Sequence, residues 1–155
     1  MRLLIATDLA LRVLMRLSAS PDKHASTDVL SRELAVSRNH LQKIVQHLTE
    51  AGFVRTIRGA HGGVMLARPA EEIRVGDVVR DHEQDQALVE CFRLDGGDCT
   101  LLPRCRLRGM LAGASDAFYD YLNQYTLADC LGSPSPERPQ GAKGKRPQRT
   151  KALNA

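Results

Sequence analysis

The sequence predicts a mainly α fold: a winged helix-turn-helix with a small two-stranded wing, followed by a long C-terminal helix suited to pairing with another helix. Three observations predict it. Apolar residues recur at helical spacing in several separate segments, and two short β-like runs flank the glycine-rich stretch Arg58 to Gly63. Aromatic residues make up only 4% of the chain, with no Trp. A core built on Leu, Ile, Val and Ala suits packed helices better than a β-sandwich. At 155 residues the chain fits one compact domain with an appendage.

The elements follow in order. Ala6, Ala10, Val13, Leu14 and Leu17 form one stripe of a helix from about residue 2 to 19, ended by Pro21 and Asp22. Ser26 or Thr27 can cap a second, short helix carrying Val29, Leu30 and Leu34. A tight break at Val36 and Ser37 precedes a third helix, with Ser37 as its N-cap. Leu41, Ile44, Val45 and Leu48 supply its buried face, and Gly52 stands where a left-handed residue would stop it. FVRTI and VML then predict two strands joined by RGAHGG. Ile73 to His82 predicts a further helix with Val75, Val78 and Val79 inward. A loop holding Cys91, Cys99 and Cys105 comes next, kept irregular by Gly96, Gly97 and Pro103. From Arg106 a long helix runs to about Asn123, with Leu107, Leu111, Ala114, Phe118 and Leu122 on one stripe. The remainder is nearly devoid of apolar residues and is expected to be disordered. The expected organisation is therefore 1–82 DNA-binding domain, 83–105 cysteine-rich loop, 106–131 pairing helix and 132–155 basic tail.

Charge is unevenly distributed. Residues 1–80 carry twelve Lys/Arg against eight Asp/Glu, a net of +4, whereas residues 81–131 carry four against nine, a net of −5. Residues 132–155 carry six against one, so the whole-chain +4 comes from the tail, and only the basic N-terminal half argues for nucleic acid. Asp8, Arg12 and Arg16 interrupt what would otherwise resemble a leader, and no run approaches the ~18 apolar residues of a membrane span. No membrane partner is expected and the location is expected to be cytoplasmic. In that compartment the four cysteines serve more readily as ligands or reactive thiols than as disulfides.

Helix, turn, helix and hairpin is the order in which a winged helix-turn-helix sets its second helix into the major groove. The third helix exposes Arg38, Asn39, His40, Gln42 and Lys43, types that contact base edges and phosphates, and Ser37 at its cap joins this set. At the hairpin tip Arg58 and His61 sit among glycines that permit close backbone approach, as a minor-groove wing needs. Each feature taken alone also fits an ordinary solvated surface; the capped turn, the hairpin and the positive balance together favour double-stranded DNA. His47, on the helix flank, is expected to be structural or solvated.

Cys91-x7-Cys99-x5-Cys105 lacks the CxxC knuckle of a zinc site and is one ligand short of four. Spacing alone leaves open an iron-sulfur cluster, a zinc site completed by His, a redox disulfide, or inert thiols. Asp8 lies off the core stripe of its own helix and is either paired with Arg12 or turned toward a partner.

From Met1 to about Leu131 the chain resembles the Rrf-type iron-sulfur winged-helix repressors, on the strength of TDLALR, SRNHLQKIVQHLTEAGFV, IRGAHGG, EIRVGDVVR, the three-cysteine loop and YTLADC. The similarity is greatest to the nitric-oxide-sensing branch. It implies a homodimeric repressor on a palindromic promoter operator, with a 4Fe-4S cluster (2Fe-2S after oxidation) on Cys91, Cys99 and Cys105 of one subunit and Asp8 of the other. Another branch carries a His three residues after the third cysteine, where this chain has Arg108. The long first cysteine gap is shared with iron-responsive members, so iron sensing is the alternative. Cys130 and the basic tail depart from the family pattern, and Cys130 is expected to be a surface thiol rather than a ligand. A thiol redox enzyme or electron carrier is disfavoured, because no acid/base constellation accompanies the cysteines and the DNA-reading half would go unexplained.

Overall fold

The computed structural model describes residues 2–20, 24–59 and 62–132. Its elements are α1 (Ile5–Ser18), β1 (His24–Ala25), α2 (Thr27–Glu33), α3 (Arg38–Glu50), β2 (Val54–Ile57), β3 (Gly63–Leu66), α4 (Val75–Glu83) and α5 (Arg106–Leu122). Short 3-10 turns fall at Ala70–Glu72, Glu90–Phe92 and Ala128–Cys130. His61 and the tail beyond residue 132 lie outside the described residues.

Local chemistry accounts for the helix-turn-helix. The Ser26 hydroxyl accepts the Val29 N–H (3.2 Å) and the Ser37 hydroxyl accepts the His40 N–H (3.3 Å), each satisfying a donor that the first turn leaves without an intrahelical partner. Between the two helices Ala35 takes a left-handed conformation with φ 53°, and the Ser31 hydroxyl holds the turn by donating to the Val36 carbonyl at 2.6 Å. Gly52, at φ 75°, ends α3 in a region where an L side chain would be strained.

The core is a single cluster. Leu9, Ala10, Val13, Leu14 and Leu17 of α1 meet Leu30 of α2, Leu41, Ile44, Val45 and Leu48 of α3, and Phe53, Val54 and Val64 of the sheet. Ile73, Val78 and Leu127 close its other side. Leu127 belongs to the segment that follows α5. Its N–H donates to the Ile73 carbonyl (2.8 Å), and Val75 N–H donates to the Tyr125 carbonyl (3.1 Å), so the chain beyond the long helix returns to the start of α4.

The sheet differs from the predicted two-stranded wing. It has three antiparallel strands in the order β1-β3-β2, with His24 opposite Met65, Ala25 opposite Val64, and Val54 through Ile57 opposite Leu66 through Gly63. A two-residue strand is too short to show a period, which is why the sequence did not announce β1. The pairing is close: a Cβ at Gly63 would run into the backbone of Ala25.

No residue of α5 is buried. One side rests on α4, where the Arg80 guanidinium lies over the Tyr119 ring at 4.7 Å and Asn123 Nδ2 donates to Asp77 Oδ1 at 3.0 Å. The other side leaves Leu107 57% and Met110 67% exposed. No described helix is long and apolar enough to cross a membrane.

Candidate DNA-reading face and cysteine loop

With Leu41, Ile44, Val45 and Leu48 turned into the core, the period of α3 puts Arg38, Asn39, His40, Gln42 and Lys43 on its open face, and all five are exposed. Ser37 is exposed too. Its oxygen is used in the cap, which leaves the hydroxyl proton for an outside acceptor. Arg38 and Gln42 line an open groove of about 710 Å³ between α3 and the wing, whose far wall is Thr56, Ile57 and Gly59. Arg58 is exposed at that wall's outer end.

Two members of this face were not anticipated. The Arg38 guanidinium is ion-paired with Asp28 of α2, with 61% and 55% of the two side chains exposed. Arg55 adds an exposed cation on β2. The position of Arg55 next to the inward Val54 on a strand could have placed it outward. Asp28 carried no sequence signal, because its meeting with Arg38 depends on the turn between α2 and α3.

The cysteine loop is compact and largely self-bonded. Arg93 makes a two-pronged contact with Asp95 (3.0 and 2.6 Å), and Asp95 Oδ1 also accepts the Gly97 N–H (3.1 Å). The Arg108 guanidinium lies 5.8 Å from the Phe92 ring centroid and joins the loop to α5. Cys91 is buried in the turn Glu90–Phe92, Cys99 is half-buried, and Cys105 is the N-cap of α5 with no side-chain cap bond. Cys105 also borders an open groove of about 650 Å³ shared with Leu88, Phe92, Leu102 and Arg108. All four cysteines are free thiols.

Among the described residues no cysteine belongs to a set of three ligand atoms within 4.8 Å of one another. That compactness is what a single ion requires. The donor chemistry suits an iron-sulfur cluster: three thiols on one irregular loop, beside Arg104, Arg106 and Arg108 and at a helix N-terminus that favours negative charge. Cys130 behaves differently. Its thiol donates to the Thr126 carbonyl (3.7 Å), and burial, then the Asp129 carboxylate, push its pKa up, so it holds its proton.

Asp8 is exposed and paired with Arg12 one turn on at 2.9 Å. A pair this open contributes only ~0.3–0.5 kcal/mol. The start of α1 is held by Glu83 at the end of α4: Glu83 Oε1 accepts the Leu4 N–H (2.8 Å) and the buried Thr7 hydroxyl (2.5 Å). Asp8 therefore leaves the body of the protein at a defined place without itself supporting the fold.

His47 is the residue that the sequence left as structural or solvated. Its Nε2 lies 2.7 Å from Asp81 Oδ2, and its ring stacks on His82 with centroids 4.2 Å apart. Burial, then the neighbouring His47, hold the pKa of His82 below 6.5. The folded protein therefore keeps His82 neutral at a pH where the unfolded chain already takes up a proton. Stability from this group is complete above pH 6.5 and declines as pH falls from there toward the depressed folded value. The melting temperature should drop as pH falls below about 6.5, with a shallower slope for His82→Gln; equal slopes would show that other groups govern it.

Comparison with known proteins agrees with this architecture. Residues 4–133 match the Rrf2 family, described as an iron-dependent transcriptional regulator. The HTH-type transcriptional regulator NsrR of Geobacillus kaustophilus is 44% identical over 133 residues, covering 84% of this chain and 90% of that protein. Protein aau3 of Rhizobium meliloti is 41% identical over 150 residues, covering 90% and 97%. The solved structure of CymR, the global cysteine regulator of B. subtilis, shares the fold with a TM-score of 0.67 at 23% identity, covering 84% of this chain and 96% of that one. Relatives with assigned roles and solved neighbours of known role are transcriptional regulators rather than enzymes. With a capped recognition helix, a wing beside it and this similarity over nearly its whole described length, the chain belongs to the Rrf2 family as a winged helix-turn-helix, DNA-binding transcriptional regulator.

Proposed function

We propose that this regulator is a homodimeric repressor that senses nitric oxide through an iron-sulfur cluster, 4Fe-4S in the intact state, and releases a palindromic operator when the cluster is damaged. The observation that carries the reading is the gathering of three free cysteines on one loop that ends as the N-cap of α5. The resemblance to NsrR regulators supports nitric oxide as the signal. Residues 1–82 read DNA, 83–105 hold the cluster, 106–131 pair the subunits, and the basic tail of 132–155 adds sequence-independent affinity for phosphate.

When bound, the cluster supplies iron that reacts with nitric oxide. Cys91, Cys99 and Cys105 of one subunit would hold it, with Asp8 of the other subunit supplying an oxygen ligand that is more readily displaced than a thiolate. With Asp8 and the cysteines on different chains, loss of that ligand would loosen one subunit from the other and alter the spacing of the two α3 helices. A coupling of ~1–3 kcal/mol gives about 5- to 150-fold weaker operator binding.

The decisive experiment compares the spectrum and operator affinity of anaerobically purified protein before and after nitric oxide. Both should change together. Asp8→Ala should retain the melting temperature and change the rate of reaction with nitric oxide; an unchanged rate would remove Asp8 from the ligand set. Pairing through the open face of α5 makes Met110→Lys shift the protein from dimer to monomer in light scattering, and a monomeric wild type would refute that pairing. The long Cys91–Cys99 gap favours a second reading, iron sensing. In that case iron depletion, not nitric oxide, would control operator affinity.

A further inference from the structure

The geometry points to a second metal site, separate from the cysteine loop, in which His47, Asp81 and His82 hold a divalent first-row transition-metal ion between the recognition helix and α4. One ligand atom from each residue lies within 4.8 Å of the other two. His47 Nε2 is 2.7 Å from Asp81 Oδ2, and the His47 and His82 rings lie with centroids 4.2 Å apart. Tetrahedral zinc, with ligands at 2.0–2.1 Å, spaces its donor atoms about 3.4 Å apart, within the span that one ligand atom from each of the three residues already covers.

His82 supplies the independent sign of a ligand. Its side chain is 2% exposed, and its Nδ1 bonds the Val78 carbonyl at 3.1 Å. Its Nε2 is buried and has no hydrogen-bond partner. A buried polar atom left unsatisfied costs ~1–3 kcal/mol. A ring whose Nδ1–H is donated to a backbone carbonyl carries its lone pair on Nε2, the arrangement by which metal-binding histidines are oriented. Burial also keeps His82 neutral, the form that coordinates.

His47 and Asp81 are 44% and 28% exposed, which leaves a path for the ion and room for water as a fourth ligand. Two imidazoles and one carboxylate suit zinc or iron(II) rather than magnesium or calcium. The two sides of the site belong to different functional parts. His47 lies in the last turns of α3, while α4 carries the Glu83 clasp on α1 and supports α5. Occupancy therefore clamps the reading helix to the element that connects it with the rest of the regulator.

The test is a zinc titration of full-length holoprotein against a chromophoric chelator, repeated with cobalt(II) as a spectroscopic probe read as a difference spectrum, and repeated with zinc on cluster-free protein with all cysteines alkylated. One zinc per chain should bind, alkylated or not. His47→Gln and Asp81→Asn should each weaken binding about 10- to 100-fold, by analogy with the loss of supporting groups at other metal sites, with melting temperatures in zinc-free buffer near wild type. The cobalt spectrum should lack the sulfur charge-transfer band that thiolate ligands produce. Zinc uptake that vanishes on alkylation, a thiolate band, or equal affinity in both variants would overturn the site. None of these outcomes depends on whether the cluster senses nitric oxide.

Discussion

Replacing Cys91, Cys99 or Cys105 singly by alanine is expected to strip iron and sulfide from the anaerobically purified protein, whereas Cys130→Ala should retain both. The contrast follows from where the four thiols stand. Three lie on the loop that runs from α4 into α5, and the last of them is the N-cap of α5, the helix whose open face is the proposed pairing surface. Cys130 is beyond α5, holds its proton and uses it on the Thr126 carbonyl. A cluster held by three cysteines does not survive the loss of one, so operator affinity in each loop variant should fall to the apo level, about 5- to 150-fold below holo. Cys91 is also buried, so its melting temperature must be followed to separate lost packing from lost iron. A Cys130→Ala protein unable to hold iron would overturn this ligand set.

The second large effect is expected on the recognition helix. Arg38→Ala, Gln42→Ala and Lys43→Ala should each weaken operator binding, by ~1–3 kcal/mol where a base contact is lost. Arg38 must first leave Asp28. An exposed ion pair contributes ~0.2–1 kcal/mol, less than a two-pronged contact to guanine provides, so the exchange favours DNA. Asp28→Asn should accordingly leave affinity unchanged or raise it slightly. Where a side chain serves a phosphate instead, its loss should weaken all sequences alike and reduce the salt slope by about one. Three alanine variants with wild-type affinity would show that another face enters the groove.

The helices were legible because their chemistry is local. Ser26 and Ser37 are caps that can be found by residue type and position, and the stripe Leu41, Ile44, Val45, Leu48 states both the helix and its buried side. The cysteine loop was recognisable for the same reason, since glycines and a proline mark irregular backbone. What stayed hidden depends on separations that no short window contains. Asp28 meets Arg38 across a turn, β1 finds β3 across some forty residues, and His47 meets Asp81 and His82 across an interval with no period of its own. The long helix falls between these cases. Its apolar stripe was visible, but only packing shows that one side rests on α4 while Leu107 and Met110 stay open.

The third strand of the sheet changes how DNA binding is divided between order and energy. β3 is hydrogen-bonded along both edges, to β2 over four residues and to β1 over two, and Gly63 is packed onto the backbone of Ala25. Fixing the backbone of a residue costs about 1–2 kcal/mol in conformational entropy. For the root of the wing that loss is incurred when the chain folds, so docking on the operator does not incur it again. Lengthening or cutting the short segment that bears β1 would return the loss to the binding step, and the affinity would fall even though no group that touches DNA had been altered.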